Sequence, residues 1–236
     1  MDRVAVCLTG VAAAYEGERA QTLTGIDLTV PVGETVLIVG PNGSGKTTLL
    51  EVTNGLLRAA AGEVLLFGEP VGPTAHRLRR QVAYLPQEAS FEPSTPFLVY
   101  DAVMSARYAL IGPFRRPSKQ DRNAVSAALD AVGLSDAARR PIGRLSGGQQ
   151  RKALLARALA QNARLLLLDE PTANLDAPSR TEVERLVIMV QEELDGTTLV
   201  VSHDAALLRE RADRIVTLED GTITSDQRVR NPETGE

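Results

Sequence analysis

Runs of apolar and β-branched residues, separated by polar turns, dominate both ends of the chain. These runs predict strands at residues 4–8, 23–30, 35–39, 62–67, 82–85, 165–168, 197–201 and 215–218. Helices are predicted at residues 45–57, 178–194 and 205–211. The run 165–168 is made only of leucine, which is expected for a strand that is covered on both faces.

The middle of the chain has a different pattern. Residues 88–117 contain four prolines and five of the eight aromatic residues, namely Phe91, Phe97, Tyr100, Tyr108 and Phe114. A helix capped by Ser118 is predicted next, because one apolar face is formed by Ala124, Val125, Ala128, Leu129 and Val132. A second helix is predicted from Ser146 to about residue 161. Strands and helices at both ends, with a helical insert between them, predict an α/β core with a mostly parallel sheet and a helical lobe.

The chain is interpreted as a single domain that spans residues 1–236. Its β-rich core is assigned to residues 1–87 and 162–224, and its helical part to residues 88–161. Residues 225–236 are polar and lack periodicity, so we expect them to form a flexible tail.

Composition and charge restrict the class of protein. The 236 residues are 43% hydrophobic and carry a formal net charge of −4, so the basic footprint typical of nucleic-acid binding is missing. The one cysteine, Cys7, cannot form an internal disulfide, which favours a reducing compartment. His76, His203 and Cys7 are too far apart in the sequence to indicate a metal site. No signal peptide and no apolar run of about 18 residues is evident, so we expect any membrane role to depend on a partner.

One glycine-rich segment carries a phosphate-binding pattern. It follows the predicted strand 35–39, opens a predicted helix, and consists of Gly40, Pro41, Asn42, Gly43, Ser44, Gly45, Lys46 and Thr47. Its glycines let backbone N–H groups curl around phosphate oxygens, and the helix N-terminus adds partial positive charge. We expect Lys46 to reach the β- and γ-phosphates and the Thr47 hydroxyl to bind Mg²⁺, with Thr48 among the nucleotide contacts. The alternative is a glycine-rich turn that binds nothing, which the full match between a strand and a helix disfavours.

Two acidic residues follow the strand of leucines. Asp169 and Glu170 stand at its carboxyl end, the edge at which ligands bind in open α/β sheets. Asp169 fits the carboxylate on the Mg²⁺ side of the site, and Glu170 is placed to take a proton from attacking water as a general base. The alternative is that both acids only cap a helix or face solvent, which is less favoured in a chain that also carries the phosphate-binding segment.

A further segment identifies a family. It consists of Leu145, Ser146, Gly147, Gly148 and Gln149, and it resembles the signature motif of ATP-binding-cassette (ABC) ATPases. The same spacing predicts a capping box that opens a helix, and a capped helix start suits an anionic phosphate. The resemblance covers nearly the whole chain. It implies a P-loop NTPase fold of the ABC type, with a mostly parallel core sheet, an antiparallel N-terminal β part and a helical signature subdomain.

The resemblance assigns roles to four further residues. Tyr15 is similar to the aromatic residue that stacks on adenine, and Gln87 to the Q-loop glutamine that contacts Mg²⁺ and water. Asp176 resembles the D-loop aspartate and can also cap the next helix. His203 resembles the switch histidine that contacts the γ-phosphate. Each of these could instead be an ordinary residue of a surface, a loop or a strand end.

In this family, the signature of one subunit faces the nucleotide held by the P-loop of a second subunit. The chain has one P-loop and one signature, so the resemblance implies a head-to-tail dimer of two copies that encloses ATP and Mg²⁺. Hydrolysis through Glu170 then removes the γ-phosphate that joins the copies, and the dimer opens.

The resemblance implies further partners. They are transmembrane permease subunits, with this chain peripheral at the cytoplasmic face of the cell membrane, and an extracytoplasmic solute-binding protein. Residues 88–117 are the expected contact with the permease, although about half of their aromatic side chains could pack inside the helical lobe instead. No nucleic acid is expected as a partner.

Two segments bear on the transported substrate. Residues 100–108 and 114–119 are similar to ATPases of zinc and manganese importers, and are also close to those that serve siderophores, haem and cobalamin. Import of a divalent metal, which this subunit itself would not bind, is the favoured interpretation. The alternatives are a siderophore, haem or cobalamin importer, an exporter, a soluble ABC ATPase that acts on DNA or ribosomes, and a cassette that works in cell division. Soluble relatives carry a coiled-coil insertion or a second cassette, and this chain has neither.

Overall fold

The computed structural model describes residues 4–15, 17, 21–72, 75–87, 91–112, 114–202 and 206–229, without the side chains of residues 206 and 207. The elements follow in the order β1 (Val4–Ala13), β2 (Leu23–Pro31), β3 (Thr35–Val39), α1 (Lys46–Asn54), β4 (Ala61–Leu66), β5 (Glu69–Pro70), α2 (His76–Arg79), β6 (Val82–Leu85), α3 (Val99–Ile111), α4 (Lys119–Ala131), α5 (Gly147–Gln161), β7 (Leu165–Asp169), α6 (Ala177–Leu194), β8 (Thr197–Val201), α7 (Ala206–Arg211), β9 (Arg214–Glu219) and β10 (Thr222–Arg228).

The strands form two sheets. Four of them pair antiparallel in the order β2-β1-β4-β5. The other six have the order β10-β9-β3-β8-β7-β6, in which only β10 is antiparallel to its neighbour. The predicted α/β class with a mostly parallel core sheet and an antiparallel N-terminal part is therefore confirmed.

Each face of the six-stranded sheet is covered by its own hydrophobic core. Leu165 and Leu167 of β7 pack with α1 and the antiparallel sheet, whereas Leu166 and Leu168 pack with α3, α4, α5 and α6. All four leucines are buried, as predicted from the unbroken apolar run. Burial of such a side chain contributes roughly 1.5–3 kcal/mol, so β7 holds the two layers together.

Helix α5 is the centre of the helical layer. It contacts α3, α4 and α6, and its small residues, such as Ala153 and Ala156, are buried where these helices approach. Helix α1 is shorter than predicted, because Gly55 adopts a left-handed φ of 69° and ends it at Asn54. Within the ranges described above, no helix combines the length and the apolarity needed to cross a membrane.

The structure corrects the prediction of a flexible tail for part of its range. Residues 225–228 belong to β10 and pair with β9, for example Ser225 with Thr217 and Arg228 with Arg214. An edge strand is stabilised by main-chain pairing with its neighbour, so its sequence need not contain the apolar pattern from which strands are predicted. Residues 230–236 lie outside the described part of the chain.

Residues 88–117 contain a continuous helix despite their four prolines. The helix α3 runs unbroken from Val99 to Ile111, because the prolines fall before and after it. Phe91 and Tyr100 pack against the helical core, whereas Phe97, Tyr108 and Phe114 are exposed. Some of the aromatic side chains therefore pack inside the helical lobe and the others lie on its surface, which is the division that the sequence analysis left open.

Candidate nucleotide-binding site

The phosphate-binding segment forms a tight turn between β3 and α1. Gly40, Gly43 and Gly45 have φ angles of 149°, 79° and 99°, in the region that favours glycine. A Cβ on Gly40 would lie 2.0 Å from the Leu218 carbonyl oxygen, and one on Gly45 would lie 2.9 Å from that of Thr22. Close backbone approach therefore requires glycine at both ends of the turn. Gly43, between them, meets no atom at the same position and lines a cavity.

This cavity has a volume of about 510 Å³, which is within the range of ligand sites. It is lined by Tyr15, Thr22, Asn42, Gly43, Gly45, Lys46, Thr47, Thr48, Gln87, Asp169, Glu170 and Val201. Ten of these twelve residues are predicted site residues, and Thr22 and Val201 are additional. Gly40, Pro41 and Ser44 belong to the same turn but are not among the lining residues. The fold thus brings together segments that are far apart in the sequence.

Lys46 is held at the floor of the turn. Its Nζ donates to the carbonyl oxygens of Gly40 at 3.0 Å and Pro41 at 2.7 Å, and the residue is only 6% exposed. Burial lowers the pKa of Lys46, and the nearby carboxylates of Glu170 and Asp169 oppose that shift. A phosphate group would supply the compensating negative charge at short range.

Asp169 is fully buried at the end of β7, and neither of its carboxylate oxygens has a hydrogen-bond partner in acceptable geometry among the described residues. Burial raises the pKa of Asp169, while the adjacent Thr47 hydroxyl, Lys46 and Arg151 oppose the rise. The Asp169 carboxylate, the Thr47 hydroxyl and the Gln87 side chain line one cavity, and oxygen atoms are the ligands that Mg²⁺ prefers. The residues therefore fit the ion.

Glu170 stands in a strained backbone conformation directly after β7. Its φ is 47°, in the left-handed region that non-glycine residues rarely adopt. Its N–H donates to the Val201 carbonyl oxygen at 3.0 Å, and its carbonyl accepts from the N–H of Ala173 at 3.0 Å. These two bonds fix a sharp turn at the strand end, and Glu170 lines the cavity there together with Lys46 and Gln87. Backbone strain of this kind is concentrated at functional sites.

Tyr15 is tied to the helix that follows the phosphate-binding turn. Its hydroxyl donates to the Glu51 carboxylate at 2.8 Å and accepts from the Thr48 hydroxyl at 3.3 Å. Tyr84 lies nearby, and burial, followed by the charge of Asp169, raises its pKa. Glu51 was not predicted from the sequence. The available signal was its position one helical turn after Thr48, on the same face of α1.

Gln87 lines the cavity at its outer side, and the backbone around it is held by the helical layer. Arg151 of α5 donates to the carbonyl oxygen of Pro86 at 2.9 Å and also to that of Gln87. The neighbouring Gln150 is buried and bonds both the N–H and the carbonyl of Phe91. Gln150 and Arg151 were not predicted as site residues, because a polar residue within a predicted helix carries no signal of a distant backbone partner.

The signature segment opens α5, and its residues do not line the cavity. The Ser146 Oγ accepts from the N–H of Gln149 at 3.3 Å, and the Gln149 side chain accepts from the N–H of Ser146 at 3.2 Å. The predicted capping box is therefore confirmed. A Cβ on Gly147 would touch Leu175 at 3.5 Å, and one on Gly148 would touch Ser179 at 3.4 Å. The signature thus adjoins the D-loop of its own chain.

Asp176 caps α6, as the sequence predicts. Its carboxylate accepts from the N–H of Ser179 at 2.9 Å, and hydrogen bonding from Ser179 lowers the pKa of Asp176. His203, the predicted switch histidine, lies outside the described residues. The residue before it, Ser202, is buried at the end of β8.

Known proteins share this sequence and fold. Residues 23–173 match the family described as ABC transporter. The chain is 38% identical over 211 residues to the manganese transport system ATP-binding protein MntB of Bacillus subtilis, which covers 89% of this chain and 82% of that protein. It is 37% identical over 217 residues to the zinc transport system ATP-binding protein TroB of Treponema pallidum, covering 91% and 78%.

Solved structures of ABC cassettes have the same fold. The dimeric structure of MJ0796, a bacterial ABC transporter cassette, superposes with a TM-score of 0.83 at 27% identity, over 96% of this chain and 99% of that chain. The post-hydrolysis dimer of MJ0796 with ADP and Pi superposes with a TM-score of 0.82 at 28% identity, over the same shares. Since the family match spans more than half of the residues and curated relatives share over a third of them, the chain belongs to the ABC transporter family as one of its ATP-hydrolysing subunits.

Proposed function

We propose that the chain energises the import of a divalent metal cation, zinc or manganese, by hydrolysing ATP at the cytoplasmic face of the cell membrane. The observation that carries the ATPase part is the cavity itself. It joins the phosphate-binding turn, the Asp169–Glu170 pair and Gln87 in one space of about 510 Å³. The metal class is supported by similarity to the proteins named for manganese and zinc transport.

Each cavity residue has a proposed role toward ATP. The adenine ring stacks on Tyr15, the backbone N–H groups of residues 40–48 surround the phosphates, and Lys46 pairs with the β- and γ-phosphates. Thr47, Asp169 and Gln87 would hold Mg²⁺, which when bound offsets negative charge on the phosphates. Glu170 accepts a proton from the attacking water, and His203 contacts the γ-phosphate.

The working site is proposed to need a second copy of the chain. Ser146, Gly147, Gly148 and Gln149 do not line the cavity of their own chain, and Ser146 and Gly147 are exposed. Their capped helix start presents backbone N–H groups and a partial positive charge to the outside. A partner copy placed head to tail would bring this surface, together with Asp176, against the γ-phosphate and close the cavity.

The helical part, residues 88–161, is proposed to receive the permease. Phe97, Tyr108 and Phe114 are exposed on this part, and exposed aromatic residues are enriched at protein interfaces. Opening and closing of the dimer would then move the permease subunits, and an extracytoplasmic solute-binding protein would deliver the cation. The β-rich part, residues 1–87 and 162–224, is proposed to bind the nucleotide.

Replacement of the general base tests the ATPase proposal. Glu170→Gln removes the proton acceptor but keeps the side-chain volume, so we expect ATP to bind, a dimer to persist, and turnover to fall roughly 100-fold or more. Exposed Glu193 gives the matched control, Glu193→Gln, with normal turnover. Hydrolysis and size-exclusion chromatography with ATP measure both effects. Unimpaired turnover by Glu170→Gln would exclude the proposed role.

A transport assay tests the substrate proposal. The chain would be reconstituted with its permease in vesicles that contain ATP, and the accumulation of zinc, manganese, a ferric siderophore and cobalamin would be compared. We expect accumulation of zinc or manganese that is lost in Glu170→Gln. Accumulation of the siderophore or of cobalamin without either metal would contradict the proposal.

A further inference from the structure

Helix α5 supplies side-chain donors to the carbonyl groups of the sheet's edge strand. Arg157 donates to the Tyr84 carbonyl oxygen at 3.0 Å, and Gln161 donates to that of Val82 at 2.8 Å. Because β6 is the last strand of the six-stranded sheet, its outward carbonyls have no neighbouring strand to bond. These two contacts satisfy the backbone of the strand and need no functional explanation.

The third contact of this series lies beyond the end of the strand. β6 ends at Leu85, yet Arg151 reaches the carbonyl oxygens of Pro86 and Gln87, in the loop whose next residues lie outside the description. Arg151 is 6% exposed, and no carboxylate among the described residues forms an ion pair with it. A buried guanidinium is costly unless its donors are used, so this fork holds two successive carbonyls in one fixed orientation.

The geometry connects two parts of the molecule that act on nucleotide. Arg151 follows the capping residue Gln149 by two positions, so it belongs to the same rigid helix start as the signature. Its guanidinium donates to the backbone carbonyl of Gln87, and Gln87 lines the cavity. The start of α5 is therefore joined directly to the backbone of Pro86 and Gln87.

We propose that Arg151 is a positioning residue, which fixes Gln87 in the cavity relative to the signature helix and thereby keeps its amide at the proposed Mg²⁺ and water position. This inference rests on the proposed role of Gln87. Arg151 is not among the residues that line the cavity, and its proposed effect on turnover runs through the backbone of Pro86 and Gln87.

A double-mutant cycle tests the inference. Arg151→Met should lower kcat for ATP roughly ten- to a hundredfold, which is the usual effect of a misplaced catalytic group. The KM for ATP should change little, because the phosphate-binding turn is untouched. Arg151→Lys keeps the charge but cannot span both carbonyls, so its kcat should lie between those of Arg151→Met and the parent. In a Gln87→Ala background, neither substitution should lower kcat further.

A matched control separates positioning from stability. Arg157→Met removes a similar guanidinium–carbonyl bond, to Tyr84, which is not among the residues that line the cavity. It should lower the melting temperature while kcat stays near that of the parent. If Arg151→Met does not fold, Arg151→Lys replaces it. The effect of Arg151→Lys on kcat is then compared in the parent and in the Gln87→Ala background.

Three outcomes would overturn the inference. One is a parental kcat for Arg151→Met and Arg151→Lys while Gln87→Ala is impaired, which would leave the proposed function intact. Another is that Arg151→Met lowers kcat by the same factor in the parent and in the Gln87→Ala background. A loss of kcat in Arg157→Met as large as that in Arg151→Met would have the same meaning. The last is a parental kcat for Gln87→Ala alone, which would also remove the proposed role of that glutamine.

Discussion

Burial acts in opposite directions on the two main ionic residues of the cavity. It lowers the pKa of Lys46 and raises the pKa of Asp169, so each residue is less stable as an ion than it would be in water. A phosphate beside Lys46 and a divalent cation beside Asp169 would each relieve that cost. The site is therefore electrostatically prepared for a nucleotide that carries both groups.

Removal of the lysine should abolish most nucleotide affinity. Lys46→Ala loses at least one charge-assisted hydrogen bond to phosphate, worth about 1.5–3 kcal/mol, or roughly ten- to a hundredfold in Kd. The binding of a fluorescent ATP analogue measures the loss. The control is Lys119→Ala, which alters an exposed lysine of α4 and should bind as the parent does. Parental affinity in Lys46→Ala would argue against the assigned phosphate position.

Some residues of the site could be predicted from the sequence and others could not. Asp169, Glu170 and Lys46 could be assigned because the spacing of their motifs is fixed by the chemistry of phosphate binding. Glu51 and Arg151 could not, because their partners Tyr15 and Gln87 are 36 and 64 positions away and are brought close only by the fold. Tertiary contacts of this kind leave no local pattern.

An ion pair joins α3 and α4 in the helical layer. Asp121 at the start of α4 accepts from Arg107 of α3 at 2.7 Å, and from the Ser118 hydroxyl at 2.6 Å. The Ser118 hydroxyl, followed by Arg107, lowers the pKa of Asp121 from 3.8 to about 2. Since the folded-state pKa is the lower one, the bonds stabilise the fold above pH 3.8, and this contribution is lost as the pH falls to about 2.

Asp121→Asn should therefore show a pH-dependent loss of stability. We expect its melting temperature to be below that of the parent at neutral pH, and the difference to shrink as the pH falls from about 4 towards about 2. Thermal melts in a pH series measure it, with the exposed Asp136→Asn as the control that follows the parent. A difference that stays constant over this range would contradict the assigned titration.

The start of α5 should matter for assembly and not for nucleotide affinity. Ser146→Arg places a large cation on an exposed helix start whose residues do not line the cavity, so ATP should bind with parental affinity. Dimer formation with ATP, and hydrolysis, should both fall roughly tenfold or more, because the added side chain blocks the partner surface. Sedimentation with ATP and an ATPase assay measure the two effects. Normal hydrolysis would exclude the arrangement in trans.

Elements with a strong local signal were predicted well, whereas β10 and α3 were not. The leucine run of β7 and the capping box of α5 are visible in the sequence because burial on both faces and helix capping each demand particular residues. β10 was missed, because an edge strand with polar side chains depends on pairing with β9. α3 was obscured by the prolines that flank it.

At the scale of the whole molecule, the nucleotide cavity and the exposed aromatic residues belong to different layers. The cavity lies along the carboxyl edge of the sheet, whereas Phe97, Tyr108 and Phe114 belong to the segment around α3. The contact of Arg151 in α5 with the backbone of Gln87 joins the helical layer to a residue that lines the cavity.

Replacement of one exposed aromatic residue should uncouple the permease. Phe114→Ser removes a fully exposed ring, so the isolated chain should fold and hydrolyse ATP as before. Stimulation by the permease in vesicles should fall several-fold, because interface aromatic residues are common hot spots. Leu56→Ser, which alters an exposed apolar residue between α1 and β4, is the control and should keep full stimulation. Equal stimulation of Phe114→Ser and the parent would place the permease elsewhere.

The central claim is that two copies share each nucleotide. The most direct measurement is a structure of Glu170→Gln with ATP and Mg²⁺, in which slow turnover preserves the bound triphosphate. We expect the γ-phosphate to contact Lys46 of one copy together with Ser146 and the backbone of Gly148 from the other. A complex in which one copy alone makes every contact to the γ-phosphate would contradict it.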